Sequence, residues 1–211
     1  MTVNKNLILT KKETVVLFNM LGLSDIPCSI GDMPAVTSHE YTDISRVLYD
    51  MQAVCRVDDS IRPDKGFDPF FLPIRSADRI LMFNYGEDGI YLFNASIYFS
   101  DKGVVAVKEK NLESIEFMPV HTLGELILLL PAVEDASQKR VSHFSYWLFD
   151  KNIGQAHCAL INPSTRKVKL TESVRKGVES QVQTTDCTMT LSEYATLFKK
   201  RIKEICYVLD R

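Results

Sequence analysis

Apolar side chains recur at helical spacing in three stretches of this 211-residue chain, and each stretch opens on a threonine with a glutamate three residues later. Val16, Leu17, Met20 and Leu21 form a stripe behind Thr10-Lys11-Lys12-Glu13. Tyr41, Ile44, Leu48 and Met51 follow Thr37-Ser38-His39-Glu40 at steps of three and four. Tyr194, Phe198, Ile202, Ile205 and Leu209 follow Thr190-Leu191-Ser192-Glu193 in the same way. A threonine hydroxyl that accepts from the glutamate amide, while the carboxylate returns to the threonine amide, pairs two of the donors a helix start leaves open. Each stripe then gives its helix one face to bury. Helices are predicted over residues 10–21, 39–53 and from Thr190 on, with Gly22 closing the first in the left-handed conformation. A fourth start, Thr122-Leu123-Gly124-Glu125, leads into Leu126 to Leu130 with no polar residue before Pro131. That run predicts a helix buried nearly all round.

Between these starts the pattern shortens to that of strands. Ile90 to Phe99 is rich in aromatic and β-branched residues, and Asp101-Lys102-Gly103 reads as a hairpin turn. Val104 to Lys108 and Ser114 to Val120 are further strands, with Ile115 and Phe117 on one face and Glu116 on the other. Val141 to Asp150, His157 to Ile161 and Arg166 to Leu170 follow, the last two joined by a turn at Asn162-Pro163-Ser164-Thr165. Residues 171–180 read as a loop, and Gln181 to Met189 as an edge strand. Earlier, Val54 to Val57 is a short strand before a turn at Asp58-Asp59. After Asp68-Pro69, an irregular entry at Phe70-Phe71 and a helix from Ile74 to Phe83 are expected, because Pro73 interrupts an unbroken start.

The strand-rich stretches end alike. Thr122 and Thr190 each open a helix after a series of strands, and Tyr146-Trp147-Leu148-Phe149-Asp150-Lys151 echoes Ile97-Tyr98-Phe99-Ser100-Asp101-Lys102. The expected fold is α+β: a central, largely antiparallel sheet in two pseudo-repeated halves, flanked by helices. One domain spans residues 1–211, with a helical N-terminal part (1–85), a first strand-rich unit with its helix (86–138) and a second with the C-terminal helix (139–211).

Composition supports a large core, since 45% of the residues are hydrophobic. No run reaches the roughly 18–20 apolar residues that span a bilayer. The N-terminus has too short an apolar patch for a signal peptide. A cytoplasmic protein without membrane insertion is expected. Five cysteines at scattered positions, none at Cys-x-x-Cys spacing, argue against a disulfide framework or a zinc knuckle. The net charge of −2 divides unevenly: residues 1–138 carry −8 and residues 139–211 carry +6. Such a dipole can orient a partner. The helix–helix–strand–turn–helix order of the first 85 residues faintly suggests a winged helix. That part is acidic, however, and phosphate contacts need clustered Lys and Arg, so nucleic acid is not an expected partner.

Chemistry is sparse. The chain has no Gly-x-Gly-x-x-Gly, no phosphate loop and no Gly-x-Ser-x-Gly elbow. His39, His121, His143 and His157 lack metal-ligand spacing, and no metal or cofactor is expected. One nucleophile candidate is Cys158, with His143 across a hairpin as its base and His157 directed to the other side of the strand. Nothing marks an oxyanion hole or a third orienting residue. Without polar convergence, a non-enzymatic binding protein is the better reading. Its candidate surfaces are Tyr146, Trp147 and Phe149, then Phe70 and Phe71, and the basic cluster Lys199, Lys200, Arg201 and Lys203 on the last helix.

Three stretches carry a family resemblance. They are Leu9-Thr10-x-x-Glu13-x-x-x-Leu17-x-x-x-Leu21-Gly22, the run Tyr41 to Val57 followed by Phe67-x-Pro69, and the two strand-rich units closed by helices at Thr122 and Thr190. In order and length the chain resembles the EspG-like chaperones of type VII (ESX) secretion, including cytoplasmic chaperone-like components of Firmicute systems. The resemblance implies a cytoplasmic adaptor that binds an aggregation-prone helical end of a secretion substrate, a toxin among the candidates. It implies delivery of that substrate to a membrane secretion ATPase. By this reading Tyr146, Trp147, Phe149, Lys199, Lys200 and Lys203 are the partner-binding candidates. The alternative is another protein-binding module, such as an immunity protein that neutralises a toxin.

Overall fold

Residues 6–23, 33–57, 60–87, 90–129, 143–150, 153–162, 164–176 and 182–205 are described by the computed structural model. In chain order these form β1 (Leu7–Thr10), α1 (Lys11–Leu21), α2 (Ser38–Asp50), β2 (Val54–Val57), β3 (Ser60–Pro63), α3 (Asp68–Arg75), β4 (Arg79–Glu87), β5 (Ile90–Ser100), β6 (Gly103–Asn111), β7 (Ser114–Val120), α4 (Leu123–Leu129), β8 (His143–Asp150), β9 (Ile153–Asn162), β10 (Lys167–Lys176), β11 (Gln183–Thr190) and α5 (Leu191–Ile205). The fold is α+β, with five helices among the described residues and an antiparallel nine-stranded sheet in the order β1-β7-β6-β5-β4-β8-β9-β10-β11. β2 and β3 form a separate two-stranded ribbon. The chain divides into two compact units that interleave in sequence: Met1–Ala77 with Ala95–Pro119, and Asp78–Asn94 with Val120–Arg211.

In the first unit, Thr10 both ends a strand and caps a helix. Its extended backbone (φ −65°, ψ 158°) suits both tasks, and the reciprocal Thr10–Glu13 box is complete. Gly22 closes α1 at φ 67°, as its lack of a Cβ allows. The Thr37–Glu40 box opens α2 in the same manner. Lys12 Nζ also donates to Glu40 Oε1 at 2.5 Å, tying the two helix starts together. That bond, ahead of those from Thr37, holds the Glu40 carboxyl well below the usual carboxylate range. Behind these caps Val16, Leu17, Leu48, Phe71, Ile97, Phe99, Val105, Val107, Ile115 and Phe117 are buried. Phe71 meets Phe117 edge-on, 5.5 Å between centroids.

Two short strands of this unit were not foreseen. β1 pairs with β7, Leu9 opposite Ile115, and β3 pairs with β2. Each is four residues long, too short to display an alternation. The expectation for residues 68–83 is corrected more substantially. The helix lies earlier, at α3, with Pro73 inside it, and Arg79 onward is strand β4. A proline inside a helix costs about 3 kcal/mol. Burial of Phe70, Phe71 and Ile74 on one side of α3 offsets that, at about 1.5–3 kcal/mol for each large apolar side chain. Phe70 and Phe71 are therefore core residues rather than a surface for a partner.

In the second unit, β4, β8, β9, β10 and β11 follow one another as antiparallel neighbours. β11 is an edge strand, as its mixed pattern predicts. β10 continues to Lys176, so residues 171–176 are strand where a loop was expected. The Thr190–Glu193 box opens α5, with Thr190 N donating to Glu193 Oε2 at 2.7 Å and Glu193 N to Thr190 Oγ1 at 3.2 Å. Leu191, Tyr194, Ala195, Phe198 and Ile202 form its buried stripe.

The α4 helix departs from expectation. Its Thr122–Glu125 box forms, and Leu126 is fully buried. Ile127 and Leu128, however, are 40% and 86% exposed. An unbroken apolar run looks alike whether a helix is covered all round or along a single side, and here the cover is one-sided. The loops expected around Pro27, Asp58-Asp59 and Asp88-Gly89, the link over residues 132–140, the stretch from Gly177 to Ser180, Pro163 and Leu209 lie outside the described residues.

Candidate functional site

Side chains alternate across a strand, so β8 sends neighbours to opposite faces. Tyr146 lies opposite Phe83 on β4 and His157 on β9, and all three are buried. α5 covers this face. Phe198 approaches Phe83 at 5.6 Å and Tyr146 at 6.3 Å between ring centroids. Trp147 and Phe149 take the other face, where Trp147 is half-buried and Phe149 is 42% exposed. Lys199, Lys200 and Lys203 are exposed on α5, which lies over the Tyr146 face. The six partner-binding candidates thus fall in three places: one in the core, two on the open face of the sheet and three on the helix over the opposite face.

The covered face holds a polar network. His157 stacks on Tyr146 with centroids 4.3 Å apart. Its Nδ1 lies 3.2 Å from Glu172 Oε1, and its Nε2 lies 3.2 Å from the Tyr194 hydroxyl. A carboxylate can only accept, so the neutral ring donates from Nδ1 and accepts the Tyr194 O–H at Nε2. The tautomer follows from its two neighbours. Arg201 Nη2 reaches the same Glu172 oxygen at 3.6 Å, and Arg201 Nη1 reaches Glu204 Oε2 at 3.7 Å. Burial depresses the His157 pKa to about 4, against the opposing pull of Glu172. Burial also raises the hydroxyl pKa values of Tyr146 and Tyr194. The network resembles a carboxylate–imidazole–hydroxyl relay, but Tyr194 is fully buried and offers no reactant an approach. It ties β9 and β10 to α5.

The open face has a different make-up. Register places Gly154, Ala156, Cys158 and Leu160 of β9 beside Phe149, Trp147, Ser145 and His143 of β8, in that order. On the far side the same β9 residues meet Arg175, Ser173, Thr171 and Lys169 of β10. Cys158 and Leu160 are exposed, as are Lys167 and Lys169. Ser145 and Asn84 are buried and hydrogen-bonded to each other, so this face opens outward from β9. The backbone register sets His143 opposite Leu160 and Cys158 opposite Ser145. Burial pushes the Cys158 thiol up, away from the thiolate a nucleophile needs.

Two surface cavities lie beside helix starts. One, of about 400 Å³, is lined by Thr165, Arg166, Thr190 and Leu191 at the start of α5. The other, of about 410 Å³, is lined by Lys11, Lys12, Pro34 and Leu112. Each adjoins a helix start at which the N-cap and N3 amides are already paired in a capping box. Among the described residues no three His, Cys, Asp or Glu side chains group as metal ligands would. No helix among them is long and apolar enough to cross a membrane.

The sequence singled out Trp147 and Phe149 as aromatic but did not separate them from Tyr146. Strand parity alone draws that distinction. Leu160, Lys167 and Lys169 were missed, because their place on the same face as Trp147 and Phe149, at its far end, emerges only from the register of three strands. Comparison with known proteins returns no matching family model and no matching curated protein.

Proposed function

We propose that this chain is a non-enzymatic cytoplasmic chaperone or adaptor of the EspG-like kind, which binds a helical type VII secretion substrate and passes it to a membrane secretion ATPase. The observation that carries the reading is the open face of β8 and β9. Phe149 and Leu160 stand 42% and 53% exposed there, on a sheet whose other face already has its helix. Phe149 and Leu160 stand at the two ends of this face with Trp147, Ala156 and Cys158 between them, and a continuous uncovered face of that kind suits contact with another molecule. An aggregation-prone helix gains from such a face by burying its own apolar ridge, at about 25 cal/mol per Å² removed from water.

The Thr10–Gly22 helix and the two Thr-capped helices that close strand series support the same family reading. We take β5 to α4 and β8 to α5 as the two copies of an imperfect repeat in chain order. Co-expression with helical substrates encoded beside this chain tests the proposal. A soluble, co-purifying complex is the expected outcome, and consistent failure of such substrates to co-purify removes it.

A further inference from the structure

On the open face, side-chain size falls in one step from β8 to β9. Trp147 and Phe149 stand on β8, whereas Gly154 and Ala156 sit directly opposite them. A Cβ added at Gly154 would have no heavy atom within 4 Å, so the space above it is open. The result is a shelf along β9 and β10, walled on one side by two aromatic rings. From Gly154 to Leu160 it runs six residues, about 20 Å at roughly 3.3 Å per residue. Its width is about two strand spacings, close to the 10–12 Å diameter of a helix.

The far side of the shelf is basic: on β10, Lys167 and Lys169 stand at the Leu160 end and Arg175 stands opposite Gly154 at the aromatic end, with Asp186 of β11 beside Thr171 between them. By register, no position of β8, β9 or β10 on this face carries a carboxylate.

We infer that this shelf binds an amphipathic helix with an acidic flank: its apolar ridge lies on β9 against Trp147 and Phe149, and its carboxylates face Lys167 and Lys169. The inference rests on the adaptor reading and adds the partner's charge sign and its seat. Complementary charge sets which partners are rejected as well as which are held.

Two features of the chain serve as reporters. Trp147 is its one tryptophan, and Cys158 stands exposed on the shelf while Cys187 stands exposed on β11. The probes are two lactam-stapled helical peptides of about fourteen residues, long enough for the shelf. Both carry leucine at i, i+3, i+4 and i+7, and the other positions hold glutamate in one and lysine in the other. The glutamate peptide should bind at least about tenfold tighter, blue-shift Trp147 emission and slow alkylation of Cys158 at least about fivefold, with Cys187 unchanged. Lys167→Glu with Lys169→Glu should reverse the preference. Gly154→Leu, which fills open space, should leave the melting temperature in place and abolish binding. Equal or better binding of the lysine peptide, no binding of either, or an unaltered Cys158 rate overturns the inference. A co-purifying secretion substrate that leaves Cys158 as reactive as before overturns the shelf but spares the adaptor reading. Docking of the glutamate peptide without any co-purifying substrate does the reverse.

Discussion

Tyr146 and Trp147 are adjacent in sequence and opposite in role. Tyr146 is 3% exposed, packed between His157 and Phe198 beneath α5. Trp147 looks onto the other side of the same sheet, beside Phe149, which is 42% exposed. One face is closed by a helix and cross-tied by a buried polar network. The other keeps aromatic and aliphatic groups in reach of solvent. The contrast shows that aromatic content does not by itself mark a binding strand; parity decides which ring supports the fold and which can meet a partner.

The two faces should respond differently to substitution. The largest loss of stability is expected on the closed face. Phe198→Ala removes a ring that touches Phe83, Tyr146 and Tyr194, and should cost about 3–5 kcal/mol in urea unfolding. A loss below about 1 kcal/mol would show that α5 is not what closes that face.

Next comes the acid response of His157. Its folded pKa, about 4, lies below the unfolded value of about 6.5. The folded state therefore binds fewer protons, and its stability is fully present above about pH 6.5 and lost as pH falls toward about 4. Between pH 7 and pH 5 the wild type should lose about 2 kcal/mol through this group. His157→Gln should flatten that part of the pH profile, whatever it does to stability at pH 7. An unchanged profile would show that another group titrates there. Glu172, Tyr194, Arg201 and Tyr146 all face the ring, so the profile of Glu172→Gln makes a useful companion.

Smaller still is the cap of α5. Thr190→Ala removes both hydroxyl contacts with Glu193 and should cost about 1 kcal/mol. On the open face Phe149→Ser should change stability by no more than about 0.5 kcal/mol. A larger loss would mean that Phe149 belongs to the core after all.

How much of this was legible in the sequence follows from the range of each interaction. The Thr-x-x-Glu boxes act within one turn, and all four form where they stand in the sequence. Gly22 ends α1 for an equally local reason. Ile80-Leu81-Met82-Phe83 misled, because an apolar run carries no period; only the burial of Leu81 and Phe83, with Ile80 and Met82 partly exposed, reveals the strand. Leu128 misled likewise, since nothing near α4 in sequence tells which side will be covered. His157, Glu172 and Tyr194 sit on three elements and meet through strand register and the seating of α5. No window of sequence contains all three. The shelf has the same origin, for Trp147, Ala156 and Ser173 are neighbours only once β8, β9 and β10 are aligned. Its residues carry no shared motif, only sizes and charges that gain meaning side by side.

On the proposed reading the open face binds a partner while the closed face holds the fold. The double variant Phe149→Ser with Leu160→Ser tests it most directly, in co-expression with a helical secretion substrate that co-purifies with the wild type. The expected outcome is an unfolding midpoint close to wild type and loss of at least about nine-tenths of the co-purified substrate. A variant that stays folded and still retains its substrate in full would contradict it.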